Sequence, residues 1–243
     1  MKSLGVQLYS LRDEFAADPE AALRRVPGLG FSVVELAGTY GWAAAKWNRM
    51  LAETGLSVGS AHVPVEALEG DFEGTVTFYR EIGCPTLIVP FLPPEAFGIE
   101  ALEGTAARLS TLANRVQGAG FLFAYHNHAH EIAPLPTGEI PLAALARHLG
   151  DQRVSFQLDT YWVEKAGQST LGIIDLLEPQ ISHIHAKELR KSDGADVPAG
   201  QGDVPFPEVL RKARAHNWPV VVEFEGTDAM AAVAESARYL RDL

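Results

Sequence analysis

The sequence is poor in cysteine, because Cys84 is the only one among 243 residues. A single thiol excludes an intrachain disulfide and a thiolate zinc cluster, which argues against a structural zinc site. Because Cys84 precedes Pro85 within an apolar stretch, we expect it to be buried and unreactive.

Long hydrophobic runs are also absent, although hydrophobic residues make up 47% of the chain. The longest runs, such as residues 86–91, are far shorter than the ~18–20 residues that a membrane-spanning helix requires. The N-terminal residues enter a strand-like segment at once and lack the apolar region and cleavage site of a secretory signal. We therefore expect a soluble, cytoplasmic protein without a membrane partner.

Positive charge is scarce. Twenty lysines and arginines face 31 aspartates and glutamates, which gives a formal net charge of −11. Neutralisation of phosphates supplies most of the non-specific affinity for DNA, and no run of basic residues forms a local patch. Nucleic acid is therefore not an expected partner.

No glycine-rich phosphate loop follows the first strand-like segment, which argues against an open nucleotide-binding sheet. Instead, eight short apolar segments alternate with amphipathic stretches, which predicts parallel strands joined by helices. Eight such units in about 240 residues match a closed (β/α)₈ TIM barrel, so we expect one α/β domain over residues 1–243. The predicted strands are 5–10, 32–36, 57–62, 86–91, 122–126, 154–159, 183–187 and 220–225. The predicted helices are 18–26, 42–53, 72–82, 99–119, 142–148, 172–177, 206–216 and 228–240.

Titratable residues collect at the predicted carboxyl ends of the strands, where barrels of this kind carry their chemistry. Side-chain alternation directs Asp159, His185 and Glu223 from three consecutive strands towards the barrel axis, with Lys187 and Glu225 beside them. Taken singly, such residues have simpler explanations, since a strand-end aspartate caps helices and a strand-end lysine pairs with acids. Together they predict a metal centre, because a divalent cation offsets the cost of burying several carboxylates. Oxygen and imidazole ligands with open positions suit Mn²⁺, Zn²⁺, Co²⁺ or Mg²⁺.

Five motifs lie at these strand ends or in the loops that follow them. They are YHNHAHE at 125–131, FQLDTYW at 156–162, HIHAKE at 183–188, GQGDVPF at 200–206 and VEFE at 222–225. Through them the sequence resembles the sugar phosphate isomerase/epimerase family of xylose isomerase-like TIM barrels, over essentially the whole chain. In this order the motifs are fairly specific for the superfamily and uninformative about the substrate.

The resemblance implies one divalent metal ion, Mn, Zn, Co or Mg, held by four side chains. The implied ligands are Glu131, Asp159, His185 and Glu223. Asp159, His185 and Glu223 match the family's ligand positions directly. Glu131 is inferred from the HNH-x-x-E form of the strand-five motif, which some relatives share. Many relatives carry a glutamate immediately before the Asn-His pair, where this chain has His126, so His126 and His128 are alternatives for that position.

The resemblance also implies a reaction, namely isomerisation or epimerisation of a sugar or sugar phosphate by proton transfer next to a carbonyl through a metal-stabilised enediolate. The implied catalytic residues are Glu131, Glu223, Lys187 and His128. The implied substrate-binding residues are His62, His126, Asn127, Trp162 and Glu225. An apolar wall is expected from Tyr9, Trp42, Phe91 and Trp162, and the polar loop 190–203 is a candidate lid.

One departure from the family pattern leaves alternatives open. Well-characterised ketose epimerases have a histidine three residues after the metal aspartate, where this chain has Trp162. The alternative is therefore a metal-dependent dehydratase or lyase of a keto-sugar, a 3-keto-glycoside or an inosose. An AP-endonuclease-like repair enzyme would need a trinuclear zinc site and a cationic face, which the charge of −11 disfavours. The ligand set disfavours a non-catalytic sugar-binding barrel, and a homo-oligomer is compatible with the resemblance.

Overall fold

The computed structural model describes residues 4–150 and 154–243, and within them eight parallel strands close into a barrel. Each barrel strand pairs with its neighbour in the chain, and the last strand closes the barrel by pairing with the first. The barrel strands are β1 Leu4–Gln7, β2 Val33–Ala37, β3 Ser57–His62, β4 Thr86–Val89, β5 Leu122–His126, β6 Ser155–Asp159, β7 Ile181–Ala186 and β10 Val220–Val222. The predicted (β/α)₈ barrel is confirmed.

Helices follow the strands and surround the barrel. They are α1 Arg12–Ala17, α2 Pro19–Arg25, α3 Ala44–Thr54, α4 Val65–Glu69, α5 Phe72–Glu81, α6 Leu102–Gly118, α7 Pro141–Leu149, α8 Thr160–Lys165, α9 Thr170–Leu177, α10 Phe206–His216 and α11 Ala229–Asp242. The sequence did not predict α1, α4 and α8, since five or six residues are too few to show a helical period. In the described ranges, no helix combines the length and apolarity needed to cross a membrane.

Three strands end two or three residues earlier than predicted, and the residues that follow them turn towards the barrel mouth. After β1 the chain enters a short 3₁₀ helix at Leu8–Leu11, and β4 stops at Val89, two residues before Phe91. β10 stops at Val222, just before Glu223. The apolar sequence pattern continues beyond the last hydrogen bond between neighbouring strands. A prediction from that pattern therefore makes the strands too long at the barrel mouth.

Alternation along the strands separates an apolar outer layer from a polar interior. On β6, Phe156 and Leu158 are fully buried in the main hydrophobic core, as expected for side chains that pack against the helices. Gln157 and Asp159, of the opposite parity, are equally buried but join hydrogen bonds inside the barrel. The upper barrel interior is therefore filled by hydrogen-bonded polar groups.

A register irregularity brings one polar pair inside the barrel together. The β2–β3 pairing shifts by one residue after Val34, so that Glu35 lies opposite Ser60. Gly59 occupies the extra position, where a Cβ atom would come within 2.6 Å of Val33 Cγ1. The bulge thus depends on glycine and directs Glu35 and Ser60 to the same side of the sheet.

The loop 190–203, expected as a candidate lid, contains part of a short hairpin, and its other residues form turns and bends. Strands β8 Glu188–Arg190 and β9 Ala195–Val197 form an antiparallel hairpin. The buried Glu188 carboxylate accepts hydrogen bonds from the backbone N–H groups of Gly200 (3.1 Å) and Val204 (2.9 Å). These bonds tie the end of the segment back to β8.

Candidate functional site

A cavity of about 410 Å³ opens at the carboxyl ends of the barrel strands. Its lining consists of three imidazoles, two carboxylates and seven apolar residues. These are His62, His126, His128, Glu223, Glu225, Tyr9, Ala37, Gly38, Pro64, Pro90, Phe91 and Trp162. The volume falls in the range of roughly 300–1,000 Å³ that is typical of small-molecule sites.

Three buried side chains meet beside this cavity, and one of them, Glu223, lines it. One ligand atom each from Asp159, His185 and Glu223 lies within 4.8 Å of the others. His185 Nδ1 is 2.8 Å from Glu223 Oε2 and 3.8 Å from Asp159 Oδ2. Within the described residues, the buried Asp159 Oδ2 has no hydrogen-bond partner, and His185 Nδ1 contacts Glu223 Oε2 without being aligned as a hydrogen bond. Unsatisfied buried donors and acceptors are costly, and a divalent cation among these three side chains would satisfy them.

Asp159 is held in place by the strand-to-helix junction that it forms. It ends β6 and caps α8, accepting a hydrogen bond from the N–H of Trp162 at its Oδ1 atom (3.0 Å). Its own backbone N–H donates to Asn127 Oδ1 (3.0 Å). With Oδ1 occupied by the cap, Oδ2 is the oxygen directed to the cluster.

Opposite charges control the ionisation of the cluster. Burial, the largest influence, opposes the imidazolium of His185, but the carboxylates of Glu35 and Glu223 outweigh it and raise the pKa of His185 to about 10. Burial raises the pKa of Asp159 to about 7, and the Glu223 carboxylate acts in the same direction. Burial also opposes the charge of Glu223, yet Lys187 and His185 hold its pKa well below the usual range. Without a metal ion, protons bound by His185 and Asp159 therefore offset the negative charge of the carboxylates, which a divalent cation would otherwise neutralise.

Beneath the cluster, Glu35 forms the centre of a buried hydrogen-bond network. His185 Nε2 lies 2.6 Å from Glu35 Oε1, so the ring presents its other nitrogen to Asp159 and Glu223. Three further side chains donate to the same carboxylate: Gln7 (2.7 Å), Gln157 (2.7 Å) and Ser60. A carboxylate on the far nitrogen of a histidine fixes the ring orientation and tautomer that metal binding requires.

Lys187 lies beside the cluster and neutralises two carboxylates. Its ammonium group pairs with Glu223 Oε1 at 3.1 Å and with Glu225, and it lies 4.0 Å from Asp196 of the hairpin. Only 1% of Lys187 is exposed. Burial would lower its pKa, but the surrounding carboxylates outweigh this and raise it. Lys187 is thus a permanently charged structural cation of the site.

The model of one protein family matches residues 23–243, which is most of the chain; its description is xylose isomerase-like TIM barrel. The chain belongs to the xylose isomerase-like TIM barrel family. Comparison with curated proteins found no significant match.

Several solved structures share the architecture of this chain. A sugar phosphate isomerase/epimerase from Parabacteroides distasonis is 21% identical, with a TM-score of 0.82 over 98% of this chain and 93% of that one. A probable 3-DHS dehydratase from Bacillus anthracis is 15% identical, with a TM-score of 0.76 over 98% of both chains. A 3-keto-D-glucoside 4-epimerase from E. coli is 19% identical, with a TM-score of 0.72 over 99% of both. At these identities the likeness shows the fold.

Glu131, the ligand inferred from the HNH-x-x-E motif, does not join the cluster of Asp159, His185 and Glu223. Its carboxylate accepts hydrogen bonds from the Tyr125 hydroxyl (2.5 Å) and from the His128 N–H (2.8 Å), and it lies 3.1 Å from His130 Nε2. It is fully buried and does not line the cavity. These contacts show that Glu131 shapes the β5 loop, and its ligand and base roles stay predictions of the motif.

The remaining expected residues divide into two groups. The side chains of the binding and catalytic sets that line the cavity are His62, His126, His128, Trp162, Glu223 and Glu225. Asn127 instead holds the β6 end through its contact with the Asp159 N–H. Trp42 lies outside the cavity and packs on Trp47, with the ring centroids 5.0 Å apart. Of the four residues expected to form an apolar wall, Tyr9, Phe91 and Trp162 line the cavity.

Two contributors to the site were missed by the sequence reasoning. Glu35 was visible as a strand-end carboxylate, but nothing in the chain revealed its partner 150 residues away. Asp196 gave no signal, because it lies in the hairpin and reaches the site only through the fold, where it accepts a hydrogen bond from the Glu225 N–H (2.8 Å).

Proposed function

We propose that the protein is a divalent-metal-dependent isomerase or epimerase that moves a proton next to the carbonyl of a keto-sugar. The observation that carries this is the convergence of the unpartnered, buried Asp159 Oδ2 with His185 Nδ1 and the Glu223 carboxylate, beside an open cavity that Glu223 lines. A divalent ion held there would supply a Lewis acid for polarising the carbonyl. Several structural neighbours carry the names of sugar isomerases or epimerases, which supports the choice of substrate class.

Glu223 is the best-placed base among the protein's own groups. It lines the cavity, and Lys187 and His185 keep its pKa well below the usual range, so it accepts a proton rather than carrying one at neutral pH. The proton is returned to a neighbouring carbon or to the opposite face.

His128 is the second acid/base candidate. It lines the cavity, and burial lowers its pKa to about 4, although the Glu223 carboxylate acts in the opposite direction. The ring is therefore a neutral imidazole at pH 7, and its buried Nδ1 has no partner within the described part of the chain.

Dehydration or lyase chemistry on the same kind of substrate is the second candidate. Trp162 places an indole in the cavity, and its buried Nε1 has no partner among the described residues. Product mass separates the two reactions, because isomerisation leaves the mass unchanged whereas elimination removes water or an aglycone.

Substitution of the metal aspartate tests the proposal. We expect Asp159→Ala to lose bound Mn²⁺ and to lose solvent-deuterium exchange at the carbon next to the carbonyl, measured over a panel of keto-sugars. The matched control is Asp175→Ala, which removes an exposed aspartate paired with Lys212 (2.7 Å) and should retain both. Exchange that persists in Asp159→Ala would show that the mechanism is wrong.

A further inference from the structure

The charge of the cavity bears on the kind of substrate that it accepts. In the described parts of the chain, no lysine or arginine lines it, whereas two carboxylates, Glu223 and Glu225, do. Lys187 lies beneath these carboxylates and is paired with both. Its ammonium group is buried, so it is not a free anion receptor.

Arg12 stands at the rim but is already engaged there. Its guanidinium donates to the backbone carbonyls of Tyr9 (3.3 Å) and Glu225 (3.2 Å). It also lies 4.9 Å from the centre of the Tyr9 ring. These contacts hold the cation outside the lining, against the barrel edge.

A bound divalent ion does not make the floor cationic. Three carboxylates, Asp159, Glu223 and Glu225, together offset the charges of Lys187 and of a divalent ion. A phosphate monoester carries about −1.5 to −2 charge at pH 7 and would meet no net positive charge here. Removing a phosphate from water without an opposing charge to offset the loss of hydration disfavours its binding.

The mouth of the cavity, in contrast, is aromatic. Tyr9 and Phe91 are 45% and 48% exposed, and both line the cavity. Scattered exposed apolar side chains are ordinary, but two aromatic rings at one cavity entrance form a surface suited to an apolar group. The Phe91 ring contacts the His128 ring edge-on, and the two ring centroids are 5.6 Å apart. The apolar surface thus runs from the rim towards the floor.

We propose that the substrate is an uncharged keto-sugar bearing an apolar substituent, which packs against Tyr9 and Phe91 while the sugar occupies the floor beside Glu223. Phosphorylated sugars are excluded. This inference rests on the proposed function and narrows its substrate class to neutral glycoside-like compounds.

Calorimetric titration of the Mn²⁺-loaded protein tests the charge selection. The probes are several ketohexoses and 3-keto-glucosides, each as the neutral sugar and as its 6-phosphate. We expect each phosphate to bind about tenfold more weakly or worse. Equal or tighter binding of the phosphates overturns the inference and leaves the proposed function standing. Failure of every probe, neutral or charged, overturns the proposed function and this inference with it.

A second titration tests the apolar mouth with methyl and phenyl 3-keto-glucosides. Aromatic contact is worth about 0.5–1.5 kcal/mol, so the phenyl compound should bind about 2–12-fold more tightly. Tyr9→Ala and Phe91→Ala should each bring this ratio closer to one. The control is Ile99→Ala, which removes another exposed apolar side chain outside the cavity and should keep the ratio. A ratio of one in the unmodified protein, or one unaffected by both aromatic substitutions, overturns the assignment of the substituent.

Discussion

Replacing Glu35 by glutamine tests whether the buried network below the site prepares His185 for metal binding. The substitution preserves the shape of the side chain and one carbonyl oxygen that can accept from His185 Nε2, 2.6 Å away in the native structure. It removes the negative charge that faces the ring. It also places an amide NH₂ group among donors, because Gln7, Ser60 and Gln157 all donate to the native carboxylate.

The expected loss follows from what metal-site histidines require. Removing the outer partner of a ligating histidine typically costs about 10–100-fold in metal affinity. That range corresponds to about 1.4–2.7 kcal/mol of binding free energy. We expect the Glu35→Gln protein to bind Mn²⁺ more weakly by this factor. Its free energy of unfolding should also fall by about 1–3 kcal/mol, because buried donors lose their acceptor.

Isothermal titration with Mn²⁺ measures the affinity, and urea unfolding without added metal measures the stability. Glu131→Gln is the matched control, since Glu131 is an equally buried glutamate with hydrogen-bonded partners but lies outside the ligand cluster. It should cost comparable stability and much less Mn²⁺ affinity. Unchanged affinity in Glu35→Gln would refute the positioning role. A larger loss in Glu131→Gln would restore the ligand assignment that the motif suggested.

Two further predictions concern buried ionisable groups. Burial raises the pKa of Cys84 to about 12, so its thiol should not react with a chromogenic disulfide at pH 8 in the native protein but should react in urea. Because the unfolded thiol ionises near its ordinary value while the folded one stays protonated, its contribution to stability should decline as the pH rises above about 9, seen as a falling urea midpoint. Lys187→Met keeps the volume of the side chain but leaves Glu223 and Glu225 without their buried cation, which should cost about 3–5 kcal/mol in urea unfolding. A loss below about 1 kcal/mol would show that the lysine is not needed to balance these acids.

Much of the fold could be predicted because each strand and helix of the barrel is specified by sequence signals within a few residues of it. Apolar segments with strand length, separated by amphipathic stretches, predicted β3 and β5 with their observed bounds and α10 over Phe206–His216. The helix predicted over 18–26 corresponds to α2, which Asp18 caps by accepting a hydrogen bond from the Ala21 N–H (3.0 Å). Such signals act over a few residues, so they need no knowledge of the tertiary structure.

Part of the site could be predicted for a related reason. Equivalent strand ends of a parallel barrel meet at one mouth, so Asp159, His185 and Glu223 could be grouped from their positions alone. The direction of Glu131 could not be inferred, because it lies in the loop after β5. There the alternation of strand residues no longer determines where a side chain points.

The sequence by itself determined the strand count, the inward parity of the late strands and the residue types available for chemistry. Only the tertiary structure decided that Glu35 supports His185 across the barrel, that Asp196 reaches Lys187 from a hairpin and that Trp42 lies outside the cavity. The physical reason is that periodicity encodes which face a side chain takes within its own element. Hydrogen-bond and ion-pair partners depend on distances between elements, which are set when the barrel closes and its strand registers shift.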